Sequence, residues 1–235
     1  MDLKNSTILI TGGTSGIGLE LVKQLSEQGA KILFTGCNLD TLNDTKARFP
    51  KIDIFQSDVS NPRDIERLYT AVTQRFPELN IIINNAGEMR LLDAQDTSHG
   101  LEDITREIDT NLSGTIRMVH QFLPHLVTKR AAAIVNVSSA IAFMAYSSAP
   151  VYSASKAGVH AYTMALRLQL SKTNIKVVEL IPPGVNTNLQ HDWVLQPNPS
   201  RTMDVDKLVG VAVKGLLNNT PEIKASRERY KKAAV

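Results

Sequence analysis

The chain has 235 residues, 43% of them hydrophobic and 21% charged, with a formal net charge of +3. That length suits one α/β domain with a large buried core better than two small ones, and so small a charge offers no broad basic face for nucleic acid. Cys37 is the single cysteine, which excludes an intrachain disulfide and a cysteine-based metal site.

Short β-branched runs alternate with helical patterns. Residues 7–11 read as a strand, and 16–28 as a helix with Ile17, Leu21 and Leu25 at i, i+4 and i+8 and Gly29 as its stop. Residues 31–35 give a second strand, 40–48 a short helix and 52–56 a third strand. Ser60 is the expected cap of the next helix, whose apolar stripe is Ile65, Leu68, Val72 and Phe76. Residues 81–83 form a fourth strand that runs into Asn84-Asn85-Ala86-Gly87. One long helical pattern follows through Ile104, Ile108, Leu112, Thr115, Val119 and Phe122. Residues 133–137 give a fifth strand, and 152–171 a helix with Val159, Tyr162, Leu166 and Leu170 inward. Residues 176–180 are a sixth strand stopped by Pro182-Pro183, and 222–225 a short seventh. The basic run 227–232 reads as a solvated helical tail.

Strands apolar on both faces, separated by helices, imply an α/β fold: a Rossmann-like, doubly wound parallel sheet of about seven strands with helices on both sides. A single domain over 1–235 is expected. The long irregular stretch 188–203 holds Trp193, Pro197 and Pro199, with His191 beside them. It follows the sixth strand at its carboxyl end, where ligands bind in open α/β sheets, so it is placed as a substrate lid. The N-terminus has neither a signal peptide's apolar region nor a membrane span, which points to a cytoplasmic protein away from membranes.

Two motifs carry the chemistry. Thr11-Gly12-Gly13-Thr14-Ser15-Gly16-Ile17-Gly18 joins the first strand to the first helix. Glycines there let backbone approach a pyrophosphate, and the helix N-terminus supplies free N–H groups and a favourable dipole. In Tyr152-Ser153-Ala154-Ser155-Lys156 a phenol and an ammonium stand one helical turn apart. A nearby cation lowers a phenol's pKa, which suits the Tyr to moving a proton to or from an alcohol oxygen. His99, His120, His125, His160 and His191 show no zinc-type spacing, so no metal is expected. His120 and His125 read as helix-surface residues.

Thr-Gly-x-x-x-Gly-x-Gly, Asn-Asn-Ala-Gly and Tyr-x-x-x-Lys, in that order over residues 6–188, resemble the short-chain dehydrogenase/reductase family. The resemblance implies a nicotinamide-dependent carbonyl reductase or alcohol dehydrogenase. It assigns Asn111, Ser139, Tyr152 and Lys156 to catalysis. Ser139 would bond the substrate oxygen, and Asn111 would place a water linking Lys156 to solvent. It assigns cofactor contacts to Thr11, Gly12, Thr14, Ser15, Gly16, Ile17, Gly18, Cys37, Asn38, Asp58, Val59, Asn85, Ala86, Gly87, Tyr152, Lys156, Pro182, Val185 and Thr187. Pro183 departs from the family, which usually has Gly there. The family's habit of pairing subunits through two long helices, here about 101–125 and 152–171, implies a homodimer or homotetramer.

After the second strand, an acid would bond a ribose 2′-hydroxyl and repel a 2′-phosphate, and an Arg would do the reverse. Here Gly36 and Cys37 stand at those places, with Asn38 next. With no acidic block, NADP(H) is favoured and NAD(H) is second. The competing reading, a non-catalytic dinucleotide sensor or scaffold on the same fold, leaves the proton-handling residues without a task. An epimerase or dehydratase of the extended type needs a longer C-terminal region.

Overall fold

The computed structural model describes residues 1–187, 189 and 202–225. Among these, seven strands form one parallel sheet: β1 Thr7–Ile10, β2 Lys31–Gly36, β3 Asp53–Gln56, β4 Leu79–Asn84, β5 Ala132–Val137, β6 Ile175–Ile181 and β7 Glu222–Lys224. Their spatial order is β3-β2-β1-β4-β5-β6-β7. The chain therefore leaves β1 in one direction and resumes from β4 in the other, which opens a crevice beyond the carboxyl ends of those two strands.

Alternation within each strand sends side chains to two cores. Ile8, Ile10, Ile32, Phe34, Ile81 and Ile83 meet α1 (Gly16–Glu27) and α8 (Val205–Leu217) on one face. Leu9, Leu33, Ile82 and Ile134 meet α3 (Pro62–Arg75), α6 (Gly114–Leu126) and α7 (Pro150–Gln169) on the other. Each such side chain contributes about 1.5–3 kcal/mol on leaving water, so the strands are held from both sides.

The helix α2 (Leu39–Arg48) is capped by Asn38, whose side chain accepts from the Thr41 amide at 3.0 Å. Three local expectations change. Asn61, not Ser60, caps α3 by accepting from the Arg63 amide at 3.0 Å, because Pro62 already fills the first helical position. Ser60 instead bonds Asp58.

The long helix expected from Ile104 to Phe122 is discontinuous. It consists of α4 (Leu101–Ile104), α5 (Arg106–Ile108), a π-helical turn Asp109–Ser113, and α6. Across the π turn the Gly114 amide bonds the Asp109 carbonyl five residues back. The third change is an addition: α8 stands between residue 203 and β7, where the sequence was assigned no element. Its Leu208, Val209, Ala212, Val213 and Leu216 are buried against the sheet.

Of the expected 188–203 lid, residues 188 and 190–201, including His191, Trp193, Pro197 and Pro199, lie outside the described residues, as does the basic run 227–232. Val185 and Met203 pair across the base of that stretch in an isolated parallel bridge. No helix among the described residues is long and apolar enough to cross a membrane.

Candidate active site

A cleft of about 440 Å³ opens at the carboxyl ends of β1, β4, β5 and β6. The loop from β1 to α1 forms one wall, with Gly12, Thr14, Ser15, Gly16, Ile17 and Gly18. Gly16 has φ +53°, in the left-handed region that favours glycine. A Cβ on Gly18 would collide with the Gly12 carbonyl oxygen. Ser15 is the N-cap of α1, and its side chain makes no capping bond. The first-turn amides of α1 thus lack a side-chain acceptor, and the positive end of the helix dipole borders the cleft.

Asn85 stitches this loop to the end of β4. Its Nδ2 donates to the Thr11 and Gly12 carbonyls, each at 3.0 Å. The Thr11 hydroxyl accepts from the Asn85 and Ala86 amides at 3.0 Å each. Thr11 is buried and shapes the loop from below, while Asn85, Ala86 and Gly87 line the cleft.

The facing wall carries the Tyr–Lys pair and a serine. Tyr152 and Lys156 lie on α7, and Ser139 caps the short 3-10 turn Ala140–Phe143 that follows β5. All three line the cleft. A buried polar ladder fixes α7 against the sheet: Asn84 Nδ2 donates to Asn136 Oδ1 at 2.8 Å, and Asn136 Nδ2 donates to the Thr163 hydroxyl at 2.9 Å. Lys156 Nζ donates to the Val137 carbonyl at 3.0 Å and sits 5.7 Å from the Tyr152 ring centroid.

The expected lowering of the phenol's pKa is not what this geometry gives. Burial pushes Tyr152 up to about 12, the Ser139 hydroxyl pulls it down, and the charge of Glu107 adds to the rise. Burial also lowers Lys156 to about 8. The same enclosure that lifts the phenol disfavours the ammonium meant to oppose it, so desolvation outweighs the cation.

Asn111 occupies the π turn and is fully buried. Its Oδ1 accepts from the Glu88 amide at 2.9 Å. Its Nδ2 donates to the Glu88 carbonyl at 2.9 Å and to the Ser155 hydroxyl at 3.0 Å. The Asn111 carbonyl accepts from the Thr115 hydroxyl at 2.8 Å. A Cβ on Gly87 would fall 2.9 Å from Asn111 Oδ1 and 3.5 Å from Lys156 Nζ, so glycine keeps those two groups close.

Pro182, Val185 and Thr187 line the cleft beside Pro183 and Gly184. Cys37, Asn38, Asp58 and Val59 do not. Asn38 caps α2, and Asp58 Oδ1 accepts from the Ser60 amide and hydroxyl, both at 2.8 Å. Val59 is buried against Gly114, and exposed Cys37 holds its sulfur 3.8 Å from the Ser57 carbonyl. His125 is half-buried, with Nε2 3.0 Å from the Leu79 carbonyl, rather than a plain surface residue.

Glu88, Met89, Arg90 and Arg106 also stand on the cleft wall, with buried Glu107 behind them; of these, the sequence reading pointed to neither Arg106 nor Glu107. Arg90 forks onto Asp103 at 2.9 and 3.0 Å, and Arg106 Nε meets Glu88 at 3.1 Å. The available signal was Glu107 lying four residues before Asn111, on the same helical face. Among the described residues, no group of three His, Cys, Asp or Glu side chains could hold a metal ion.

A glycine cradle without room for side chains, a helix N-terminus and a Tyr–Lys pair on the opposite wall fit a dinucleotide with its reactive end at Tyr152.

Residues 6–198 match the family described as short chain dehydrogenase. An uncharacterized oxidoreductase DltE of Bacillus subtilis (strain 168) is 38% identical over 189 residues, covering 80% of this chain and 75% of that one. A Burkholderia cenocepacia short chain dehydrogenase in complex with NADP superposes with a TM-score of 0.84 at 26% identity, over 99% of this chain and 93% of that one. A Sphingobium yanoikuyae short-chain dehydrogenase in complex with NADPH gives a TM-score of 0.84 at 26% identity, over 93% of this chain and 86% of that one.

Proposed function

This chain belongs to the short chain dehydrogenase family, and on that premise we propose that it reduces a ketone to a secondary alcohol with NADPH, reversibly. It is an NAD(P)-dependent oxidoreductase of the family, with the seven-stranded fold that goes with it. The observation that carries the finer reading is the meeting of Ser139, Tyr152 and Lys156 on one cleft wall, opposite a glycine cradle.

The residues of the β1–α1 loop, with Asn85, Ala86, Gly87, Pro182, Val185 and Thr187, would hold the cofactor. When bound, it supplies the hydride. The chain's own residues handle the oxygen. Ser139 donates a hydrogen bond to the carbonyl, and Tyr152 donates the proton as negative charge develops there. A phenol at about 12 holds its proton at neutral pH. It is still far more acidic than water at about 15.7, so transfer to a nascent alkoxide runs downhill. Lys156, held by the Val137 carbonyl, lies beside the phenol and stabilises the phenolate that remains. Asn111 holds the chain at Glu88, so that Gly87 and Met89 keep their places around Tyr152 and Lys156.

NADP(H) is favoured because Gly36 puts no carboxylate at the end of β2, and because the Burkholderia and Sphingobium relatives hold NADP and NADPH. NAD(H) is the second choice. Exposed Ile116 on α6 and exposed Met164 and Leu168 on α7 support a homo-oligomer that covers those helices. The deciding experiment follows NADPH absorbance across a panel of ketones. Ketone-dependent oxidation is expected; tight NADPH binding with no turnover on any ketone would refute the reading.

A further inference from the structure

Behind Ser139 lies a second polar group that the chemistry above does not use. Glu179 of β6 is fully buried. The Ser138 hydroxyl donates to its Oε1 at 2.5 Å. His160 Nδ1 lies 3.0 and 2.9 Å from its two carboxylate oxygens. The carboxylate can only accept there, so Nδ1 carries the proton. His160 sits on α7 one turn beyond Lys156, as Lys156 sits one turn beyond Tyr152. The three side chains therefore form one stripe along the helix.

The same pair holds both ends of a single segment. At its start, Ser138 is tied to Glu179. At its end, the Phe143 ring stands edge-on to His160, with centroids 4.5 Å apart. Lys224 Nζ lies 5.5 Å from the centroid of that Phe143 ring. Between these anchors run Ser139, Ala140 and Ile141, all on the cleft wall. Successive side chains of an extended strand point to opposite faces. Pinning the Ser138 hydroxyl to Glu179 thus fixes the side on which the next residue, Ser139, stands; both border the cleft. The Ser139 hydroxyl accepts from the Ile141 amide at 3.3 Å, so the turn and the serine move together.

We propose that His160, acting through Glu179 and Phe143, is a positioning residue that holds Ser139 and Ile141 in place against the carbonyl substrate. The proposal rests on the ketone-reducing reading of the cleft. A buried carboxylate needs its donors. Removing the imidazole takes away one of the two side chains that, among the described residues, bond Glu179, and the ring that Phe143 packs on. Ser138 then loses a fixed partner, and the segment loosens at both ends. A catalytic group displaced by about 1 Å costs roughly 100-fold in rate.

The test uses His160→Ala, His160→Asn and Glu179→Gln in the full chain. An Asn amide N–H can replace Nδ1–H toward Glu179, though not the ring contact with Phe143. Amide hydrogen exchange over residues 138–143 is the first readout and needs no substrate. It should speed up roughly tenfold or more in His160→Ala and return most of the way in His160→Asn. Ketone kinetics are the second readout: kcat/KM should fall roughly 10- to 100-fold in His160→Ala, with the NADPH Kd unchanged. Glu179→Gln, which keeps one acceptor oxygen for Ser138, should lie between wild type and His160→Ala in both readouts.

Unchanged exchange in His160→Ala overturns the proposal. So does faster exchange spread over the whole chain, because the role is then merely structural. If wild type turns over no ketone, the functional reading falls, while exchange still decides whether His160 holds the segment.

Discussion

Glu107 and Asn111, four residues apart and both fully buried, grip the chain on either side of Met89. Glu107 Oε1 accepts from the Arg90 amide at 3.0 Å, and Asn111 Oδ1 accepts from the Glu88 amide at 2.9 Å. Met89 between them packs against Tyr152. The loop after β4 is thereby held by two polar side chains, which fix one wall of the socket around the Tyr152 phenol.

Asn111→Ala would take the side-chain partner from the half-buried Glu88 amide and carbonyl. Each orphan costs about 1–3 kcal/mol, so a total loss on the order of 3 kcal/mol is expected. Chemical denaturation of the two proteins measures it directly. A loss below about 1 kcal/mol would mean that water replaces the amide freely.

Tyr152→Phe keeps the ring that packs on Met89 and removes only the hydroxyl. Turnover should fall roughly 100- to 10,000-fold, the share usually carried by a general acid. NADPH affinity, measured by fluorescence titration, should stay as it was. Substantial residual turnover would take Tyr152 out of its role.

Gly36→Asp would set a carboxylate where the end of β2 now carries none. The new Cβ would stand 3.1 Å from Thr14 Cγ2, a contact that a small shift of the methyl relieves. Steady-state kinetics should show the NADPH-to-NADH preference falling on the order of 100-fold, because the carboxylate repels a 2′-phosphate. An unaltered preference would place the 2′ position elsewhere.

The cleft's ionisable pair also sets a pH signature for stability. Lys156 falls from 10.5 to about 8 on folding, so the folded chain binds fewer protons than the unfolded chain in that window. Stability should therefore rise as pH climbs from about 8 to 10.5, where the penalty on the charged form ends. Tyr152 rises from 10.0 to about 12, so its effect is a loss of stability across that higher window. Lys156→Met should exceed wild type by up to about 3 kcal/mol at neutral pH, with the gap closing in alkali. Urea denaturation at two pH values tests the trend. A gap independent of pH would mean that Lys156 is not buried in its charged form.

The strands were legible because β-branched runs such as Ile81-Ile82-Ile83 are buried on both faces, and the Tyr152–Lys156 pair because helical spacing fixes it. Ile104, Ile108 and Leu112 advance by two steps of four, more than the 3.6 of an α-helix, and the break before Arg106 and the π turn take up the difference. That excess was readable, yet a count of apolar positions passes over it. Val205, Leu208, Val209, Ala212, Val213 and Leu216 carry an α period that the prolines just upstream obscured. The shift on Tyr152 went the other way from expectation because spacing reports neighbours and not enclosure. Ser138, Glu179 and His160 meet only once β5, β6 and α7 are assembled, and no local pattern announces that.

The π turn at Asp109–Ser113 carries one residue more than regular winding needs. Removing any single residue there would let α5 and α6 run on as one α-helix. Because the extra residue is absorbed within the turn, the elements on either side would keep their mutual orientation. Glu107, outside the turn, would keep the Arg90 amide, while Asn111, inside it, would lose the backbone position from which it bonds Glu88. The stretch should accept many exchanges of side chain and no change of length, so natural insertions and deletions in this region would be confined to the segment before Leu101.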